Sequence, residues 1–362
     1  MSHAPDREQP PLPAPPSKRR AAAAKPTQPG PGCGRPVAVV GAGLAGLACA
    51  GALRDAGREV LVFDRQTEPG GRCALIATPA GPFDATGAGL RPAGKAFAAQ
   101  LQAWAEAGWL QPDPQQPGHW FARGSLQALA EQLAQGLTLV SRVEVRALQR
   151  RDETWHLETE GPLPVDLAAR VQQGFDAVLL ALPASAALPL LGDDSELAER
   201  LGGTGAESVW ALMAAWPQTL PLRADRLDAD RLAAAGAVLS AAWREDSLPG
   251  RPQVSGIGSR WVLHATPAWS AERLAARPFD VAKGMLEALQ AAVGLQLARP
   301  AFALTQCRPD THVAAPLKER CGWNARLRLG ACGDAWHALK GSEGPERAWL
   351  SGRALAQKVL AG

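Results

Sequence analysis

The chain is predicted to fold as an α/β protein: a parallel sheet flanked by helices, with an inserted unit of mixed β-sheet plus helix. Three observations predict it. Residues 37–64 read as strand, glycine turn, helix and strand, ending on Asp64. Phe175-Asp-Ala-Val-Leu-Leu-Ala-Leu-Pro183 is a nearly unbroken apolar run closed by proline, which suits a strand buried on both faces of a parallel sheet. Leu327 to Asp334, followed by a long helical pattern from Pro345 to Leu360, returns to the same architecture, so both ends of the chain build one domain.

Residues 1–34 stand outside it. They hold Pro10-Pro11-Leu12-Pro13-Ala14-Pro15-Pro16 and the alanines 21–24 without apolar periodicity, and are read as a disordered Pro/Ala-rich tail. Arg7, Lys18, Arg19, Arg20 and Lys25 against Asp6 and Glu8 give the tail a surplus equal to the whole formal net charge of +3. The remainder is charge-balanced, which argues against a nucleic-acid protein. Lys18-Arg19-Arg20 lacks the apolar segment an export signal needs, and no later apolar run is long enough for a membrane span. The six cysteines, Cys33, Cys49, Cys73, Cys307, Cys321 and Cys332, form no C-x-x-C pair and no metal-like spacing with histidine. A reducing, cytoplasmic setting without a metal site is expected.

The first unit reads Val37-Ala-Val-Val-Gly41-Ala42-Gly43-Leu44-Ala45-Gly46, with Ala50, Leu53, Gly57 and Val60 following at the spacing of a packed helix and second strand. The three glycines have separate mechanical roles, with Gly41 making the turn, Gly43 allowing backbone approach to a pyrophosphate, and Gly46 allowing close packing of helix on strand. The helix N-terminus supplies unpaired N–H groups, and Asp64 sits where a carboxylate accepts ribose hydroxyls. This is a Rossmann-like dinucleotide-binding fingerprint. Arg65-Gln-Thr-Glu-Pro69-Gly70-Gly71-Arg72 then reads as a second glycine turn returning over the pyrophosphate, with Arg65 and Arg72 as candidate phosphate or ribose contacts.

Phe97, Leu101 and Trp104 recur on one face of a helix from Lys95 to Ala107, and Ser125 reads as the N-cap of another through Leu133. Strands are expected over Leu137–Val145, Thr154–Thr159, Val209–Trp216, Ala237–Trp243 and Arg260–Ala265, and a helix over Asp280–Val293. Gly256-Ile-Gly258 lacks the flanking strand, third glycine and helix, so a second dinucleotide domain is not expected. The dinucleotide domain is assigned to 35–80, 120–185 and 315–362, and a substrate domain to 81–119 and 186–314.

Three motifs stand in order: the fingerprint with Gly70-Gly71-Arg72, the Gly333-Asp334 turn, and Glu346-Arg347-Ala348-Trp349-Leu350-Ser351-Gly352. Together they resemble flavoproteins of the amine-oxidase superfamily, most closely the bacterial renalase-like branch. Trp210 to Pro217, Ala241 to Arg251 and Trp261 to Ser270 are similar to the same branch. The resemblance implies an FAD/NAD(P)-binding domain of amine-oxidase type holding FAD without a covalent link. It places Asp64 on the adenosine ribose, Arg72 near the pyrophosphate, and Val143 against the adenine. It puts Gly333 and Asp334 near the ribityl chain or phosphate, and the helix start with Ala348 and Trp349 under the flavin pyrimidine ring. The chain departs from the family over Phe83 to Arg91, where amide and aromatic groups are missing, and at Arg347, where glycine is usual.

The resemblance implies an FAD-dependent oxidoreductase that takes a hydride from a small donor, such as a dihydronicotinamide isomer, and passes electrons to dioxygen. An amine oxidase, a desaturase and a non-catalytic FAD-binding protein are the alternatives. The absence of tyrosine removes the paired tyrosines typical of monoamine oxidases, leaving Trp336, Trp269 or Trp243 to stand in. Lys340 is the candidate for tuning the flavin or assisting oxygen, against the reading of a solvated loop lysine. His337 is read either as a proton relay or as a loop histidine bonded to backbone, and Trp336 as a substrate platform. His264, in an apolar strand, is read as a core or cavity-wall residue. Homodimers are common in flavoproteins, and that assembly stays open here.

Overall fold

A computed structural model describes residues 34–85, 87, 89–114, 116–192, 195–227, 229–232 and 236–362. The expected tail therefore lies, but for Gly34, outside the described residues, as do Thr86 and Ala88 of the segment that departs from the family.

Strand β1 (Val37–Val40) leads through the glycine turn into helix α1 (Leu44–Asp55) and strand β2 (Val60–Asp64). Helix α2 (Lys95–Glu106), the hairpin β3 (Leu110–Pro112) and β4 (Trp120–Ala122), and helix α3 (Leu126–Ala134) follow. Ser125 caps α3 by accepting from Ala128 N at 2.9 Å. Next come β5 (Thr138–Ser141), the ribbon β6 (Glu144–Arg151) and β7 (Thr154–Glu160), α4 (Val165–Gln173), β8 (Ala177–Leu180), α5 (Ala184–Leu191) and α6 (Ser195–Gly202). The expected strand over 137–145 is thus two, because Arg142 turns the chain at φ 60°.

The middle of the chain gives β9 (Ala206–Trp216), β10 (Arg226–Leu227), α7 (Ala229–Leu232), β11 (Leu239–Arg244), β12 (Ser259–Ala265), α8 (Pro267–Ala271), α9 (Pro278–Val293) and β13 (Phe302–Val313). The chain closes with β14 (Gly322–Asn324), β15 (Leu329–Ala331) and α10 (Gly344–Ala361).

Two large sheets result. The first is six-stranded in the order β14-β15-β8-β1-β2-β5, parallel except for β14. Alternation along its central strands divides the core. Val37, Val39, Val62 and Leu179 face α1, α3 and α10, whereas Ala38, Val40, Phe63 and Leu180 face α4, α5 and the ribbon. At Gly352 an added Cβ would collide with the carbonyl oxygen of Ala45, so its hydrogen lets α10 lie directly on the first turn of α1.

The second sheet, β10-β11-β12-β9-β13, is antiparallel throughout. One face buries Leu212, Trp261 and Leu263 against Val281, Met285 and Leu289 of α9. The other carries Met213, Ala215, Trp243 and Val262, packed with Phe83 and Ala85. Helix α2, assigned from sequence with this second sheet, packs instead in the core of the first: Trp104 meets Trp349 of α10 at 4.7 Å and 76°. Among the described residues no helix is long and apolar enough to cross a membrane.

Candidate functional site

A cavity of about 1160 Å³ runs from the glycine turn of the first sheet to the Trp243 face of the second. Its volume exceeds the roughly 300–1,000 Å³ that a single small ligand occupies.

At the first-sheet end the chain is drawn as tightly as glycine permits. Gly41 has φ +107°, and an added Cβ there would lie 2.5 Å from Ala181 O. A Cβ on Gly46 would collide with Gly41 O, so α1 can start only against a bare glycine. Gly43 differs: a Cβ would meet nothing within 4 Å, because that side is open cavity. The N-cap of α1 is Gly43, without a side-chain cap, so the first N–H groups are left for a ligand. Leu44 and Ala45 line the cavity, and the second glycine turn folds back over it through the bridge Gly43 to Gly70.

Asp64 closes β2 with its carboxylate on the cavity wall. Oδ2 accepts Ala42 N at 2.6 Å and Oδ1 accepts Gln66 N at 2.8 Å. Burial raises its pKa, opposed by those two backbone donors. Arg65 and Val143 line the same end, and Val143 N donates to Asp64 O at 3.0 Å.

The second glycine turn is tied to the last segments of the chain. Arg72 pairs with Asp334 at 2.7 Å and donates to Asp310 O of β13 at 2.7 Å, while Arg308 of β13 donates to Arg72 O at 2.8 Å. Burial works against the Arg72 charge, but the Asp334 carboxylate outweighs it and its pKa is raised. Asp310 is held in turn at φ 50°, where β13 is irregular, by Ser185, whose N and Oγ both donate to its Oδ2. Gly333 N donates to Ser351 Oγ at 3.1 Å, which sets the Gly333-Asp334 turn beside the N-terminal turn of α10. Gly344, Pro345 and Ala348 bring that turn to the cavity.

On the second-sheet wall are Ser240, Ala241, Trp243, His264, Gln306 and Arg308. His264 Nε2 lies 2.8 Å from Ala85 O, and its ring meets Trp243 edge-on at 4.8 Å and 78°. Burial lowers its pKa to about 4. Cys73 also lines the cavity, and burial pushes its thiol up to about 12, so it stays protonated.

Three residues singled out for chemistry lie elsewhere. Trp336 is fully buried under Gly322, with the Arg200 guanidinium 5.3 Å from its ring. His337 adopts φ 63° and donates its N–H to Glu319 O at 2.8 Å, and Lys340 is exposed on the following turn. None of them lines the large cavity. The reason is local: Leu317 N bonds to Ala335 O and Ala338 N to Leu317 O, so the chain after Asp334 runs along 317–319 instead of turning inward. Trp349 likewise faces Trp104 in the core, leaving Pro345 and Ala348 as the α10 side chains on the cavity. Gln306 and Arg308 were missed because Pro309 and Asp310 interrupt β13; the polar alternation at 306 and 308 is the available signal.

A parallel sheet with a bare helix N-terminus and an acidic strand end, facing a cavity closed by a second sheet, defines a dinucleotide-binding protein. The chain belongs to the flavin containing amine oxidoreductase family, whose model matches residues 111–360, and residues 39–102 match an NAD(P)-binding Rossmann-like domain. It is an FAD-dependent oxidoreductase. The fold is similar to a candidate protoporphyrinogen oxidase from Exiguobacterium sp. 255-15, 14% identical, TM-score 0.64, covering 91% of this chain and 99% of that one. It is also similar to a putrescine oxidase variant, 12% identical, TM-score 0.59, covering 90% and 99%. An oxidoreductase from Methanosarcina mazei is 14% identical, TM-score 0.59, covering 91% and 100%. At these identities the likeness concerns the fold.

The residues present fit FAD. The open side of Gly43, the uncapped α1 N-terminus and the wall-mounted Asp64 carboxylate suit a pyrophosphate and a ribose, and the cavity continues beyond them toward the second sheet.

Proposed function

We propose that this protein is a renalase-like oxidase that takes a hydride from a dihydronicotinamide isomer and passes the electrons to dioxygen, in a reducing cytoplasm. The observation that carries this reading is the charge of the cavity. Four carboxylates line it: Asp64, Glu144, Asp334 and Glu343. Asp64 is engaged by backbone N–H groups, and the others pair with Arg146, Arg72 and Arg91 respectively. Among the described residues the second-sheet wall supplies no carboxylate to the cavity and presents Arg308 instead. An ammonium ion in such a site is favoured by a nearby free carboxylate and disfavoured by a guanidinium. A neutral donor needs neither.

The chemistry of hydride acceptance and onward electron transfer belongs to the bound FAD. The proposed cradle is Gly41 to Gly46, Asp64, Arg65, Gly71 and Arg72, Val143, Gly333 and Asp334, with Ala348 at the far end. Loss of hydride from a dihydronicotinamide yields an aromatic pyridinium, so no side chain is required as a base. A protonated Cys73 thiol and a neutral His264 agree with that requirement. The N-terminal turn of α10 presents a partial positive charge that favours a reduced, anionic ring system.

The test is the visible spectrum of the purified holoenzyme, recorded anaerobically before and after adding a mixture of dihydronicotinamide isomers. Rapid bleaching by an abnormal isomer, slow bleaching by the ordinary one and recovery in air are expected. A band that persists with every isomer and bleaches with a diamine would overturn the reading in favour of an amine oxidase.

A further inference from the structure

His264 has two ring nitrogens with different fates. Nε2 faces the carbonyl oxygen of Ala85 at 2.8 Å, and a carbonyl oxygen only accepts, so Nε2 carries the proton. A neutral imidazole protonated there has a lone pair on Nδ1. The ring remains neutral at working pH because burial and the nearby Arg308 charge both disfavour the imidazolium. Among the described residues Nδ1 meets no hydrogen-bond partner, and unlike Trp243 Nε1 and His337 Nδ1 it is not a buried unpartnered atom. It therefore reaches the cavity that His264 lines.

The acceptor is held in place from several sides. Edge-to-face contact with Trp243 fixes the plane of the ring. Ala85 is fully buried, and its neighbour Asp84 accepts Leu126 N at the start of α3 at 3.1 Å and pairs with Arg251 at 3.2 Å. Arg251 in turn pairs with the buried Glu245 at 2.6 Å. The carbonyl that orients the imidazole thus belongs to a buried, ion-paired segment. An accessible acceptor fixed in this way gains from a ligand N–H and is left unsatisfied by a ligand lacking one.

Resting on the donor class proposed above, we propose that His264 Nδ1 is the hydrogen-bond acceptor that recognises the carboxamide N–H of the nicotinamide. His264 is then a specificity-determining residue, and the pyridine ring is selected for bearing an amide.

The experiment compares two oxidised ligands on the flavin-loaded enzyme, followed by the change they cause in the flavin absorbance: NAD⁺ and its 3-acetylpyridine analogue. The analogue keeps the carbonyl and replaces the amide NH₂ with a methyl group, so the N–H is the group lost. The wild-type enzyme is expected to bind NAD⁺ about tenfold more tightly, the ratio set by one neutral hydrogen bond. His264→Leu should bring the two affinities within about threefold of each other. His264→Gln, which keeps an amide donor for Ala85 O and an acceptor oxygen, should recover most of the preference. Equal affinities in the wild type would overturn the role of His264 while leaving the donor class standing. A preference that survives His264→Leu would assign recognition to another group, and failure of both ligands to bind would overturn the donor class together with this inference.

Discussion

Replacing Asp64 with alanine separates the two duties of its carboxylate. Its Oδ2 serves Ala42 N and its Oδ1 serves Gln66 N. Ala42 is 1% exposed, so its N–H is stranded by truncation at a cost of about 1–2 kcal/mol. Gln66 is exposed, and water replaces the lost acceptor there. In a chain of this size such a loss lowers the Tm by about 2–4 °C. The cofactor loses more: each charge-assisted bond from the carboxylate to a ribose hydroxyl is worth about 1.5–3 kcal/mol, which is roughly ten- to hundredfold in affinity. Asp64→Asn divides the effects, since its amide oxygen keeps an acceptor for Ala42 N while the charge is gone. Isothermal titration of the apoprotein with FAD gives the affinity, and scanning calorimetry gives the Tm. An Asp64→Ala protein with a lowered Tm but FAD affinity within about threefold of the parent would refute the ribose assignment.

Glu245 gives a pH dependence. Burial, assisted by the Asp84 charge and opposed by Arg251, pushes its carboxyl from 4.5 up to about 7. The folded protein therefore holds this proton where the unfolded chain releases it, and the resulting stability, present below 4.5, is lost as pH rises through 7. Chemical denaturation should show this group's share of the wild-type stability, roughly 3 kcal/mol, falling away over that range, with Glu245→Gln flattening the slope by that amount; equal slopes would place the Glu245 proton elsewhere. Gly352→Val should destabilise by about 2–3 kcal/mol or more by prising α10 from Ala45, with flavin lost before global unfolding, and an unchanged Tm would contradict the close helix approach.

The elements most legible in the sequence are those whose local pattern coincides with their packing. The fingerprint run was readable because Gly41, Gly43 and Gly46 answer to backbone geometry within a single turn, and β9, β12, α9 and α10 because their apolar periodicity matches the face they bury. β13 was not, since Pro309 and the left-handed Asp310 break its pattern at the place where Ser185 and Arg72 hold it. The position of α2 was also hidden: the Phe97, Leu101 and Trp104 stripe announces an amphipathic helix, but its partner Trp349 lies more than two hundred residues away. Proximity in sequence misled in the same way at Trp336, His337 and Lys340, which follow Asp334 directly yet are carried off by bonds to 317–319. His264 could be placed on an apolar strand from sequence, but its tautomer depends on Ala85, which only the fold brings beside it.

The two arginines at the waist of the molecule act as a crossed brace. Arg72, from the cofactor turn, reaches a backbone oxygen of β13, and Arg308, from β13, reaches a backbone oxygen of that turn. These two bonds tie the turn and the strand together, so the two sides of the cavity share one point of attachment. By linkage, any steadying of the second-sheet wall by a bound cofactor would be returned in equal measure to the cofactor by a ligand bound on that wall.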